Sequence, residues 1–178
     1  DGFSRSVAVE PGVGREELEK GIPFYLMAFD IGTTTVVGYL LDGKSGKEMA
    51  VASMMNPQHQ FGADVISRSN YVLEHGGEEM RAVIQDALNR LIVQACAKAG
   101  IKKEEILQVS IVGNTCMHHL FLGISPDSLV HAPYLPAVKE GMILSAEECG
   151  IHIAPEGRLL MLPNIAGFVG ADTVGCML

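Results

Sequence analysis

The residues that most narrow the choice of fold lie between Met80 and Ala95. Met80, Val83, Ile84, Ala87, Leu88, Leu91, Ile92 and Ala95 recur at i, i+3, i+4 and i+7 spacing, while Glu79, Arg81, Asp86, Asn89 and Arg90 take the other face. That pattern predicts an amphipathic helix whose one apolar stripe must be covered by another layer. Gly76-Gly77 breaks the chain before it and Gly100 ends it. The preceding residues supply candidates for the covering layer. Residues 24–29 form a short apolar run bounded by turn residues, and 34–41 are rich in β-branched side chains, so both read as strands. A turn at Asp42-Gly43-Lys44-Ser45-Gly46 lets residues 49–55 return as a third, completing an antiparallel meander. Residues 63–74 read as a further helix.

Beyond the long helix, residues 102–105 form a connector and 106–112 a fourth strand that finishes in Gly113-Asn114. A short helix is expected over 117–122, a fifth strand over 159–162, a turn at Pro163-Asn164, and a helix rich in small residues from 169 onward. Between them Ser125-Pro126, Pro133 and Pro136 mark an irregular excursion. A three-stranded meander, helical crossover, strand, helix, strand, helix is the order of the ribonuclease H-like fold, so the expected class is α/β. No internal repeat is visible.

Composition excludes several functions. A chain of 178 residues that is 48% hydrophobic suits one packed domain rather than a disordered segment. With 21 acidic and 13 basic side chains the net charge is −8, which repels a phosphate backbone, and the longest basic run, Lys102-Lys103, is followed at once by Glu104-Glu105. Nucleic acid is therefore a poor partner. No apolar stretch reaches the roughly 18 residues that a membrane span needs, and the N-terminus lacks the pattern of a signal peptide. A soluble protein is expected. Cys96, Cys116, Cys149 and Cys176 form no Cys-x-x-Cys pair or zinc spacing and read as reduced thiols of a cytoplasmic protein. Met54-Met55 and the other methionines read as core filling. The chain opens without an initiator Met and ends inside the apolar run 174–178, so it reads as an excised segment. Residues 1–22 are expected to be a linker or the end of a preceding domain, and 23–178 the folded unit.

The sharpest chemical feature is Ala28-Phe29-Asp30-Ile31-Gly32-Thr33-Thr34-Thr35, an acid at a strand end followed by Gly and hydroxyls in a tight turn to the next strand. A phosphate needs such a turn, because Gly admits close approach of the backbone while N–H groups and Thr hydroxyls supply donors. A carboxylate beside bound phosphates suits hydrated magnesium, which takes only one or two protein carboxylates. The same residues also make ordinary β-turns stabilised by Asp and Thr side chains. A Walker-type loop would lead into a helix and end in Gly-Lys-Ser/Thr, and neither is present. Asp64 and Arg68, four apart on a helix, fit a surface ion pair. Neighbouring His118 and His119 point in different directions on a helix and have no evident third ligand, which argues against a metal.

The Asp30-Ile31-Gly32-Thr33-Thr34 string in a first hairpin resembles the phosphate-1 motif of the actin, sugar kinase and Hsp70-type ATPase superfamily. Further strings are Asn56-Pro57-Gln58, Phe61-Gly62-Ala63-Asp64-Val65-Ile66-Ser67-Arg68, Val112-Gly113-Asn114-Thr115 with Met117-His118-His119-Leu120, Ala132-Pro133-Tyr134, and the run from Pro163-Asn164 to Gly170-Ala171-Asp172. Together, over residues 25–178, they resemble the reductive activators of corrinoid proteins, a group of iron–sulfur ATPases. The resemblance implies that residues 23–178 are the first lobe of the ATPase domain, without its second lobe or the N-terminal plant-type ferredoxin domain. It also implies a parent activity, the ATP-dependent return of a cobalt(II) corrinoid protein of a methyltransferase system to cobalt(I) for methyl transfer.

Carried over by position, Asp30 would hold Mg2+ or its water, with Gly32, Thr33, Thr34 and Thr35 around the terminal phosphates of ATP. Asp172 would face the nucleotide cleft or, alternatively, stabilise a first helical turn. Asn114 would line the cleft or order its loop, and the string that holds Asp64 and Arg68 suggests a structural or partner-facing role for them instead of the surface ion pair. The cluster ligands, the phosphate-2 motif and the adenosine motif are absent from this segment, which is expected to be inactive alone. A small-molecule kinase of the same superfamily and a catalytically silent docking module are the competing readings. The kinase would need an acceptor pocket and a base that the sequence does not reveal.

Overall fold

A computed structural model describes residues 9–163 apart from position 133. Six strands form one sheet: β1 (Tyr25–Ile31), β2 (Thr35–Asp42), β3 (Glu48–Met55), β4 (Ile106–Gly113), β5 (Met142–Ser145) and β6 (Arg158–Met161), in spatial order β3-β2-β1-β4-β6-β5. β4 runs parallel to β1 and to β6, and the remaining neighbours are antiparallel. The helices are α1 (Arg15–Lys20), α2 (Val65–His75), α3 (Glu78–Ala99), α4 (Thr115–Leu122) and α5 (Asp127–Val130), with a short 3-10 helix at Pro57–Phe61.

The stripe on α3 does what its spacing requires. Met80, Ile84, Ala87, Leu88, Leu91, Ile92 and Ala95 are fully buried, in one cluster with Met27, Phe29 and Ile31 of β1, Val36 and Leu40 of β2, and Val109 and Ile111 of β4. Because side chains alternate along a strand, Leu26 and Leu41 take the opposite face, where they join Phe24 in a small second cluster. The sheet is thus heavily covered on one face.

Register decides where a site can lie. Ile31 pairs with Val36 on one side and Gly113 on the other, so the ends of β1 and β4 stop side by side. A Cβ at Gly113 would lie 2.9 Å from the Ile31 carbonyl oxygen, which explains the glycine. The turns that follow β1 and β4 are thereby juxtaposed at the carboxyl ends of parallel strands, the position at which open α/β sheets bind ligands.

Three local readings need correction. Residues 15–20, which carry no periodicity, form α1, because a helix that buries no residue needs none; it is closed by left-handed Gly21 and carries Arg15–Glu19 and Glu16–Lys20 pairs. The proline-containing excursion includes α5 and the four-residue edge strand β5, too short to show alternation, so the strand expected over 159–162 is the sixth rather than the fifth. Met54 packs on the core, but Met55 is 69% exposed on the edge strand. Cys96, Cys116 and Cys149 are free and buried, and burial raises their pKa values, which keeps them protonated thiols. Among the described residues no helix is long and apolar enough to cross a membrane. The turn at Pro163-Asn164, the helix from residue 169, Asp172 and Cys176 fall wholly or partly outside them.

Candidate functional site

The β1–β2 turn is fixed from behind. The Asn56 Nδ2 donates to the Gly32 carbonyl at 2.7 Å, and an Arg68 terminal nitrogen donates to the Thr33 carbonyl at 2.7 Å. The Asn56 backbone N–H reaches the Thr34 carbonyl at 2.8 Å, and the Gly32 N–H reaches the Thr35 carbonyl at 3.0 Å. All four carbonyls from Gly32 to Thr35 are therefore engaged. Among the described residues the N–H groups of Thr33 and Thr34 donate to no protein acceptor. A Cβ at Gly32 would sit 2.7 Å from the Thr35 carbonyl oxygen, so the turn could not close this tightly on another residue. The close approach that Gly32 allows here is that of the chain's own backbone.

Asn114 lies beside this turn as the N-cap of α4. Its side chain accepts the Met117 N–H at 3.0 Å and donates to the Thr33 hydroxyl at 3.2 Å, so it orders its own loop and the neighbouring turn together. Asp30 is exposed at the end of β1, on the sheet face opposite Phe29 and Ile31. The fold thus collects Asp30, Gly32, Thr33, Thr34, Thr35 and Asn114 at one end of the sheet.

The expected surface ion pair between Asp64 and Arg68 does not form. Asp64 is the N-cap of α2, its carboxylate accepting the Ser67 N–H at 2.7 Å and the Ser67 hydroxyl at 2.8 Å, bonds that hold its pKa below the ordinary value. Arg68 turns the other way and is completely buried. Besides Thr33, its Nε donates to the Gly62 carbonyl at 2.9 Å and a terminal nitrogen approaches the Met117 sulfur at 3.3 Å. Among the described residues no carboxylate lies within 4.0 Å of it, and burial lowers its pKa. Asn56 is equally buried, its Oδ1 capping the 3-10 helix through the Gln58 N–H at 2.9 Å. Sequence reasoning gave neither side chain a part in the turn, although each stands in one of the strings that carry the resemblance.

His118 and His119 are buried and neutral. His119 Nδ1 lies 2.8 Å from the Thr115 carbonyl, and its Nε2 accepts the Ala137 N–H at 3.0 Å, which leaves no nitrogen for a metal. Burial lowers the His118 pKa to about 4, assisted by His119, while a hydrogen bond to the Leu162 backbone opposes the shift. Among the described residues no group of three His, Cys, Asp or Glu side chains could hold a metal.

A cavity of about 530 Å3 opens beside the turn, lined by Thr33, Asn114, Asp64, Val65, Ile66, Thr115, Cys116, Leu129 and Val130. Among the described residues its lining has no basic side chain, carries the anionic Asp64, and does not include Asp30, Thr34 or Thr35. Its chemistry does not suit a triphosphate, and the turn itself is the better candidate for anion binding.

Sheet order, parallel crossover and site position together define a ribonuclease H-like lobe of the actin-like ATPase fold. The chain belongs to the family described as the RACo middle region, which matches residues 25–178. It is 43% identical over 163 residues to the corrinoid activation enzyme RamQ of Eubacterium limosum, covering 90% of this chain and 27% of that protein. It matches a solved structure of a reductive activator for corrinoid, iron–sulfur protein with a TM-score of 0.82 and 41% identity, over 84% of this chain and 24% of the other. The chain therefore spans about a quarter of the length of these relatives.

Proposed function

We propose that residues 23–178 are the first lobe of the ATPase domain of a reductive activator of corrinoid proteins, joined through residues 1–22 to a preceding domain. The whole protein would work in the cytoplasm, using ATP to return a cobalt(II) corrinoid protein of a methyltransferase system to cobalt(I). Its electron donor, an iron–sulfur cluster in a ferredoxin domain, is assigned outside this segment from the resemblance. The observation that carries the ATP reading is the turn, whose carbonyls are all engaged while the Thr33 and Thr34 N–H groups have no protein acceptor among the described residues.

In this reading Gly32, Thr33, Thr34 and Thr35 surround the terminal phosphates, with backbone N–H groups and hydroxyls as donors. Asn114 holds the Thr33 hydroxyl in place. Asp172 is assigned to the cleft from the resemblance alone. The exposed Asp30 carboxylate, two residues before Gly32, fits hydrated magnesium, which keeps most of its waters and needs no all-protein cage. When bound, Mg2+ supplies charge neutralisation at the phosphates. In the full-length protein Asp30→Ala is expected to lower ATP hydrolysis about a hundredfold or more, the scale of losing a group that stabilises transition-state charge. Because Asp30 is exposed, the melting temperature should stay close to wild type. Wild-type turnover in this variant would remove the assignment.

A further inference from the structure

Asn56 and Arg68 reach the turn through an arrangement with a chemical consequence. The Gly32 carbonyl that receives Asn56 belongs to the same peptide unit as the Thr33 N–H, and the Thr33 carbonyl that receives Arg68 to the same unit as the Thr34 N–H. In a planar trans peptide the C=O and N–H point in opposite directions. Two buried donors that draw these carbonyls inward therefore turn the N–H groups outward, and these are the N–H groups without a protein acceptor among the described residues. A hydrogen bond on a carbonyl also polarises its own peptide and makes the N–H a stronger donor, the more so when the bond comes from a cation.

Arg68 is an expensive way to fill space. A fully buried guanidinium is strongly destabilising unless compensated, and here its partners are two carbonyls and a thioether, with no carboxylate within 4.0 Å among the described residues. Such a cation behind a donor-lined turn is best compensated by an anion in front of it.

We infer that Asn56 and Arg68 are positioning residues for phosphate binding, aiming and polarising the Thr33 and Thr34 N–H groups while Arg68 adds a positive charge behind them. The inference rests on the assignment of the turn to the phosphates of ATP. It predicts an effect on the phosphate part of nucleotide affinity and none on the nucleoside part.

The test uses the full-length protein and calorimetric Kd values for MgATP and for adenosine, whose ratio isolates the contribution of the phosphates. Asn56→Ser keeps an acceptor for the Gln58 N–H but loses the donor to Gly32, Arg68→Met removes fork and charge, and Arg68→Lys restores charge alone. Asn56→Ser and Arg68→Met should each raise the ratio of the MgATP Kd to the adenosine Kd by roughly tenfold or more, the worth of one strong hydrogen bond, with adenosine affinity unchanged and Arg68→Lys intermediate. A merely structural role would weaken both ligands alike. Should Arg68→Met fail to fold, Asn56→Ser alone decides. A wild-type ratio in Asn56→Ser, or in folded Arg68→Met, overturns the inference and leaves the ATP reading standing. A wild-type protein that binds MgATP no more tightly than adenosine overturns both.

Discussion

His118 is a buried histidine whose protonation is coupled to folding. Its folded pKa is about 4, against about 6.5 in an unfolded chain, because burial disfavours the imidazolium. Between those values the unfolded state binds the extra proton, so stability must fall as pH drops from about 6.5 to about 4 and level off below. The His118 contribution is at most about 3 kcal/mol. Burial lowers the His119 pKa too, and it contributes in the same direction. Denaturant midpoints of the chain at pH 7 and pH 4.5 should therefore differ less in His118→Gln than in wild type; an equal difference would place the titration elsewhere. Arg68, nearby, has two readings in the sequence. Its spacing from Asp64 fits an exposed ion pair, while its family string suggests a structural or partner-facing role; it also shares a helical stripe with Val65, Ser69 and Val72, two of which are buried. Buried and bonded to the Gly62 and Thr33 carbonyls, it follows the stripe rather than the ion pair. Asp64, followed three residues later by Ser67, carried a legible capping signal.

At the level of elements, α3 holds the two-layer structure together. Leu88→Ala, at a fully buried position, should destabilise the chain by about 2–5 kcal/mol through lost burial and the cavity left behind. Val93→Ala on the outer face of the same helix, where the residue is 59% exposed, should change stability by no more than about 0.5 kcal/mol. Urea unfolding of both variants checks the contrast, and similar losses would mean that α3 is not oriented as described. This helix was legible because eight apolar positions repeat one period. β1, β2 and β4 were legible as β-rich runs ending in glycine or turn residues. α1 and β5 were not, the first because it buries nothing and the second because four half-exposed residues carry no pattern. The β1–β2 turn was recognisable as a phosphate candidate from its residue types. What holds it was not, since Asn56 and Arg68 reach it through tertiary contacts that local spacing does not encode.

At the scale of the whole molecule, the proposed function makes this chain one wall of a cleft. If the turn binds ATP as proposed, the adenosine side must come from residues outside this segment. The isolated chain is then expected to bind MgATP weakly and to hydrolyse it no faster than background, because remote binding energy and water exclusion are both lost. Calorimetry and phosphate release on the purified chain decide it; submicromolar affinity or steady turnover would mean that a complete site is already present.

The same turn bears on the order in which the molecule assembles. Its anchors are remote in sequence: Asn56 is 24 residues from Gly32, Arg68 is 35 from Thr33, and Met117, which touches Arg68, is a further 49 along. The β1–β2 hairpin can close locally, but its carbonyls are drawn inward only when the segments carrying Asn56 and Arg68 have docked, and Arg68 is fully seated only once α4 follows. During vectorial synthesis the turn thus leaves the ribosome before the residues that hold it and reaches its held form only after them. A nascent chain cannot present those two amides until it has been made at least as far as Met117.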